Sequence, residues 1–341
     1  MYMTMSLLIG TYTSGGESKG IYEADFDRNS GSIENVRLII PQRDPAYLAL
    51  SQDGTLLYAV METPRDGQVF SYNLKPDGWV QTGCQPTCGG SPCHLMLNDK
   101  TGTLTVSNYA DGVVSFYALS QEGALKSPPQ AVVLDGHGPH TRQECAHAHQ
   151  CVQLDDRILI SDLGTDKVRV FEGETDKGFV EKAPLLSTLP GDGPRHLVLT
   201  ADREMLYLLC ELQNVVNAYR KAGDGYHEEG RYSYLPEGVH NAAAAAVRLS
   251  EDERFLFASS RIGFDGVALF ELDKHTRLPK LCGVFPTGAC PRDILPVGDF
   301  LLCACQEENC LQVMRLDREK KQLVLLGETK VHKPVCVIAK V

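Results

Sequence analysis

No hydrophobic run in the chain approaches the roughly eighteen apolar residues that a bilayer span needs. The stretch Ser6-Leu7-Leu8-Ile9 is too short for the core of a secretion signal, so a soluble, cytoplasmic protein without a membrane partner is expected. Basic residues are the minority, 33 Lys and Arg against 44 Asp and Glu, giving a net charge of −11. A surface of that sign repels a phosphate backbone, which excludes nucleic acid but not a small anion met by locally concentrated arginines. Tryptophan occurs once, as Trp79. The twelve cysteines run from Cys84 to Cys336 without a C-x-x-C pair and read as reduced thiols. Cys84, Cys88, Cys93 and His94 fit no standard zinc spacing and are read as packing residues, as are Cys303 and Cys305 on one strand face. No metal and no cofactor is expected.

What is present is a globular composition, 43% hydrophobic and 23% charged, in 341 residues. That is more than twice a common domain length of about 150, so either two domains or one closed repeat architecture is required. Repeats decide it. A polar turn followed by an apolar run recurs as Gln52 to Val60, Thr101 to Val106, Asp155 to Ile160, Asp202 to Tyr207, Asp252 to Phe257 and Gly298 to Leu302, with Ser6 to Tyr12 as a seventh copy. An alternating strand follows each, for example Gln68 to Tyr72, Lys167 to Phe171 and Gly266 to Phe270. A short apolar strand precedes each, as in Pro45 to Leu48, Pro92 to Leu95, Ala148 to Val152, Pro194 to Leu197, Ala242 to Val247 and Pro291 to Ile294. Spacings of roughly 45 to 55 residues suit four-stranded propeller blades. The last short strand, Pro334 to Ile338, has no hairpin partner after it. Pairing it with the N-terminal strand would close the ring and remove two sheet edges. The expectation is all-β: one seven-bladed propeller of four-stranded antiparallel blades over residues 1–341, complete as a monomer.

In such a blade the start of the first strand and the end of the second meet at one rim. First-strand starts supply His94, His147, His149, Arg195, His196 and Arg292; second-strand ends supply Glu62, Asn108 with Tyr109, Asp162, Glu211, Arg261 and Gln306. The insert from Leu134 to Glu144, carrying His137, His140, Arg142 and Gln143, should reach the same mouth. Several guanidinium groups in one cavity bind phosphate or carboxylate and repel one another without an anion. Plainer readings stand beside this one. Asp162 and Gln306 could cap backbone, Glu211 could be only the counter-ion of Arg195, and His149 could be a core histidine. His147 and His149, two apart, would point the same way, which also permits a metal.

At these residues the chain resembles the seven-bladed propeller lactonases, a family of bacterial 6-phosphogluconolactonase type that is also similar to fungal carboxy-muconate lactonising enzymes. The resemblance is nearly full length, from Gly10-Thr11-Tyr12-Thr13 to Gly288-Ala289-Cys290-Pro291-Arg292. Its most specific pieces are Arg142-Gln143 with His147-Ala148-His149, Asp162-Leu163-Gly164-Thr165-Asp166, Gly191-Asp192-Gly193-Pro194-Arg195-His196, and Glu211-Leu212. The resemblance implies catalytic roles for His147, Arg195, Glu211 and Arg261. It implies a small anionic sugar lactone as substrate, 6-phosphoglucono-1,5-lactone, opened by water. The chain departs from the family pattern in carrying Ala146 before the His-Ala-His piece and one inserted residue before Gly263 after Ser260-Arg261-Ile262, which could re-aim Arg261. His147 or Glu211 would be the base and Arg195 the oxyanion partner. Arg261, Arg292, His94 and His196 would hold the phosphate, with Asn108, Arg142, His149, Asp162 and Gln306 as further substrate contacts. The alternatives are a lactonising reaction on a muconate-type dicarboxylate and a non-catalytic propeller that binds a partner across its rim. The charge cluster at the mouth speaks against the last, since interaction faces favour exposed aromatics and the chain has one Trp.

Overall fold

The computed structural model describes residues 4–126, 128–239 and 242–340, which form seven sheets of four strands each. We number blades 1 to 6 from the inner strands Leu48–Leu50, Pro92–Asn98, Ala148–Leu154, Pro194–Leu199, Ala243–Leu249 and Pro291–Val297. In blade 7 the C-terminal strand Pro334–Lys340 lies innermost and pairs antiparallel with Thr4–Thr11, from Ser6 opposite Lys340 to Thr11 opposite Pro334. The ring is therefore closed by the two ends of the chain, as the repeats imply. No helix is present among the described residues, and so none long and apolar enough to cross a membrane.

Each blade forms for local reasons. The turn between inner and second strand needs one left-handed residue, supplied by Gly54, Gly102, Asp155, Arg203, Glu253 and Gly298 in blades 1 to 6. Hydroxyl–carboxylate pairs brace three of these turns: Ser51 with Asp53 (2.6 Å), Thr200 with Asp202 (2.8 Å) and Ser250 with Asp252 (2.7 Å). The apolar runs of the second strands are almost wholly buried, because both faces of a blade pack against its neighbours. Phe26 of blade 7 meets Phe300 of blade 6 edge-on at 5.6 Å. Tyr58 of blade 1 and Tyr207 of blade 4 fill equivalent interblade positions, donating to the carbonyls of Gly123 and Arg277 on the following blades. The outermost strands, such as Gln322–Lys330, are largely exposed and left no repeat in the sequence.

The inner strands carry the feature that builds the site. The pairing register slips beside Cys93, His149, Arg195, Ala245–Ala246 and Arg292 in blades 2 to 6, and beside Val335 in blade 7. A β-bulge bends its strand and re-aims the extra residue. Here that repeated bulge brings Cys93, Arg195, Arg292 and Val335 to the walls of one axial cavity of about 10 Å³, hardly room for a water molecule. Blade 1 differs from expectation: its inner strand begins at Leu48, and Pro45 to Tyr47 lie outside it, tied by the bond from Val60 N to Tyr47 O (3.2 Å).

Candidate active site

Glu211 is the residue around which the mouth is organised. It lies one position beyond the second strand Met205–Cys210, and its backbone is held by Glu211 N to Gly193 O (2.7 Å) and Ala244 N to Glu211 O (3.2 Å). Its carboxylate is buried among three guanidinium groups. Arg142 donates from Nη1 to Oε1 (2.8 Å), Arg261 from Nη2 to Oε1 (3.3 Å), and Arg195 places Nε 2.9 Å from Oε2 without hydrogen-bond alignment. Burial alone would raise the pKa of Glu211, but Arg261, Arg195 and Arg142 outweigh it and hold the carboxyl down at about 2. One carboxylate cannot neutralise three guanidiniums. The surplus shows in Arg195, which burial first, then Arg261 and Arg292, push down to about 10 despite Glu211. The Nε donors of Arg195 and Arg261 are buried without a hydrogen bond. The opposite wall pairs Arg292 with Glu62 (3.7 Å), Glu62 with the donating hydroxyl of Tyr12 (2.7 Å), and the Arg292 guanidinium with the Tyr12 ring (5.1 Å).

His147 lies just before the inner strand of blade 3, with Nδ1 2.6 Å from the Tyr109 carbonyl. A carbonyl only accepts, so Nδ1 carries a proton and the lone pair of the neutral ring is on Nε2, which stands 3.5 Å from Glu144 Oε2. The ring stacks on Tyr109 at 4.5 Å, and the Tyr109 hydroxyl accepts from Arg142 Nη2 (2.9 Å). His147 thus shares the mouth with Glu211 but reaches it through Tyr109 and Arg142. Its main chain is fixed by Asp162, whose Oδ1 accepts from His147 N (2.8 Å) and Gly164 N (3.0 Å). Gly164 is required there: a Cβ would run into the Cys145 carbonyl. The insert is stapled by Gln143, which donates to Leu163 O and Asp166 Oδ1 (both 2.8 Å), while Asp166 also accepts from Gly191 N and Gly193 N (2.8 and 2.9 Å). One carboxylate therefore ties the loop carrying Arg142 to the loop leading into Arg195.

Several expected substrate contacts are placed elsewhere. Asn108 is fully buried and donates to the carbonyls of Thr87 (3.3 Å) and Val113 (3.0 Å); its successor Tyr109 faces the site. Asp162 is equally buried and spent on backbone, on Thr165 and on Arg169 Nε (2.7 Å). Both close their strands, whereas Glu62, Tyr109, Glu211 and Gln306 lie one residue further, where the chain leaves the blade. Of the pair Asn108 and Tyr109 named at this strand end, it is Tyr109 that reaches the site. His94 and His196 do not offer a charged phosphate site. Burial first, then nearby arginines, push both well below the ordinary histidine range, and His149 likewise, so all three are neutral near pH 7. They line the channel side: His94 packs on Tyr47 at 4.1 Å, and His196 lies edge-on to both His94 and His149. The bulge at His149 breaks the alternation that would have aligned it with His147. His149 Nε2 nevertheless stands 4.0 Å from Glu211 Oε2. Gln306 donates to Glu307 (2.6 Å) at the exposed rim. Of the insert, His140 and Arg142 reach the mouth, while His137 is exposed.

Cys84, Cys88, Cys93 and His94 do not assemble as a set: Cys84 lies against Gln68, Cys88 is exposed, and Cys93 is buried against His149. All twelve thiols are free. Among the described residues one trio, Glu144, Cys145 and His147, brings ligand-type atoms within 4.8 Å of one another.

Comparison with known proteins agrees with this architecture over its whole length. The family described as "Lactonase, 7-bladed beta-propeller" matches residues 6–339. The chain is 30% identical to a 6-phosphogluconolactonase of Bacillus subtilis (strain 168), covering 96% of both chains. It is 29% identical to a 6-phosphogluconolactonase of Formosa agariphila, covering 94% of this chain and 95% of that one. The solved structure of a periplasmic gluconolactonase from Pseudomonas aeruginosa superposes with a TM-score of 0.89 at 28% identity, over 98% of this chain and 99% of that chain. The chain belongs to the seven-bladed β-propeller lactonase family.

Proposed function

We propose that the chain hydrolyses 6-phosphoglucono-1,5-lactone to 6-phosphogluconate at the mouth around Glu211. The observation that carries this reading is the cation surplus: three guanidiniums converge on one carboxylate in a protein of net charge −11. Such a cluster is completed by an anionic ligand or transition state. A lactone is an activated ester, so positioned water and an oxyanion partner suffice. His147 Nε2 takes a proton from water as the water oxygen attacks C1. Negative charge gathers on the carbonyl oxygen, where Arg195 supports it. The C1–ring oxygen bond then breaks, the ring oxygen takes the proton back from His147, and the new carboxylic acid ionises in water. Arg261 and Arg292 hold the phosphate. Glu211, kept at about 2, is too weak a base for this step near pH 7 and serves to aim Arg142, Arg195 and Arg261. Twelve free thiols suit a reducing compartment, so the cytoplasm remains our expected location, and the self-closed ring our reason to expect a monomer.

The test is a coupled assay: freshly generated 6-phosphogluconolactone, oxidation of 6-phosphogluconate as readout, and spontaneous hydrolysis subtracted. A rate above background that falls in Arg195→Ala is expected. No rate above background overturns the reaction, and an unimpaired Arg195→Ala overturns the site.

A further inference from the structure

Beside the Glu211 cluster the mouth opens sideways into a groove of about 820 Å³ between blades 4 and 5. That volume lies within the range of about 300–1,000 Å³ of pockets for drug-sized ligands. His140, Arg142 and Glu211 line the groove, and so does an apolar stretch formed by Leu212, Leu235, Pro236, Val239 and Ile262. Arg142 and Glu211 belong to the catalytic mouth, so groove and mouth are continuous, and Gln213, Asn214 and Ser233 complete the polar side of the groove.

Ile262 is the unusual member. It follows Arg261 directly, and its side chain is 58% exposed, among the most exposed large apolar groups of the protein. Its backbone is left-handed, with φ of 59°. For a β-branched residue that conformation is strained, and such strain persists where surrounding structure imposes it, most often at ligand sites. A turn relieved by Asn or Gly would cost the fold less. Here instead the chain spends strain to present a branched aliphatic side chain to open space, directly after Arg261 and in the same groove as Arg142. Packing does not account for this, since the side chain is mostly uncovered.

We propose that the groove is a second compartment of the same active site, seating an uncharged aliphatic arm of the substrate, and that Ile262 selects for that arm. The inference rests on the lactonase reading for its chemistry. It adds a substrate class, lactones whose ring carries an alkyl substituent, to the phosphorylated sugar lactone. The carbonyl lies at Arg195, and the arm runs over Ile262 toward Leu235.

The experiment separates binding from reaction. Calorimetry measures two ring-opened carboxylates, 5-hydroxypentanoate and 5-hydroxydecanoate, which share their anionic end and differ by an alkyl arm. A pH-indicator assay measures kcat/KM for the parent lactones, δ-valerolactone and δ-decalactone. The wild type is expected to favour the longer member at least tenfold in both, which is about the gain from burying two methylenes. Ile262→Asn, in which Asn tolerates the left-handed backbone, and Leu235→Asn should each bring both ratios within about twofold of unity. Equal binding of the two carboxylates, no binding of either, or a preference kept in both variants overturns the proposal. A tenfold binding preference without hydrolysis of any lactone upholds the groove and refutes the lactonase reading instead.

Discussion

Glu211→Gln removes one negative charge and almost no volume, and leaves the buried Arg195 and Arg261 and the half-exposed Arg142 without the carboxylate they share. Two estimates of the cost agree. The carboxyl titrates at about 2 in the folded protein against an ordinary 4.5, a difference worth about 3 kcal/mol of stability at neutral pH. Deleting one partner of a buried ion pair costs about 3–5 kcal/mol, because the remaining charge stays uncompensated. For 341 residues with ordinary unfolding entropy, 3 kcal/mol corresponds to a fall in Tm of about 4 °C. Because the folded value is depressed, the contribution is complete above about pH 4.5 and is lost as pH falls toward 2. Melting curves followed by circular dichroism in low-salt chloride buffer should therefore show the variant about 4 °C or more below wild type at pH 7, with the gap closing below pH 4.5. Inorganic phosphate should restore the variant more than it raises the wild type, since it supplies the missing negative charge to the same guanidiniums. An unchanged or raised Tm at pH 7, or equal protection of both proteins by phosphate, would show that Glu211 is not the charge on which the arginines depend.

Three further outcomes follow from the geometry. Asp162→Ala should cost about 3–5 kcal/mol in denaturant unfolding, because Arg169 Nε and His147 N lose their acceptor; stability within about 1 kcal/mol of wild type would contradict the buried network. His147→Gln should lower kcat for 6-phosphogluconolactone about 100-fold or more while the calorimetric affinity for 6-phosphogluconate changes less than about threefold; the reverse pattern would make His147 a binding residue. Removing the last strand by truncation before Pro334 leaves Thr4–Thr11 without its inner neighbour. The truncated chain should be insoluble or lack cooperative unfolding, and a soluble variant melting as wild type would refute closure by this pairing.

The ring was legible in the sequence because three of the four strands in each blade are buried and so obey a pattern. Runs such as Leu206 to Cys210 or Phe255 to Ala258 must be apolar on both faces when blades pack against each other. The outer strands have no such constraint, and stretches such as Gly178–Ser187 alternate too weakly to be recognised. The site was legible as far as residue type at a blade position could carry it: Arg195, Arg261 and Arg142 each reach Glu211, the last from 69 positions away.

By itself the sequence determined the repeat, its closure by the chain ends, and the rim at which charged residues gather, since all three depend on hydrophobic period and chain order. Which side chains face that rim was decided by tertiary structure. A one-residue bulge shifts direction within a strand, so Arg195 at the bulge reaches Glu211 while the next residue, His196, lies against His94 and His149. Burial beside arginines then left the histidines neutral, and Asn108 and Asp162, one residue short of the rim, were taken up by backbone groups. Neither a register slip nor a local dielectric is written in residue order; both arise only when the neighbouring blades are in place.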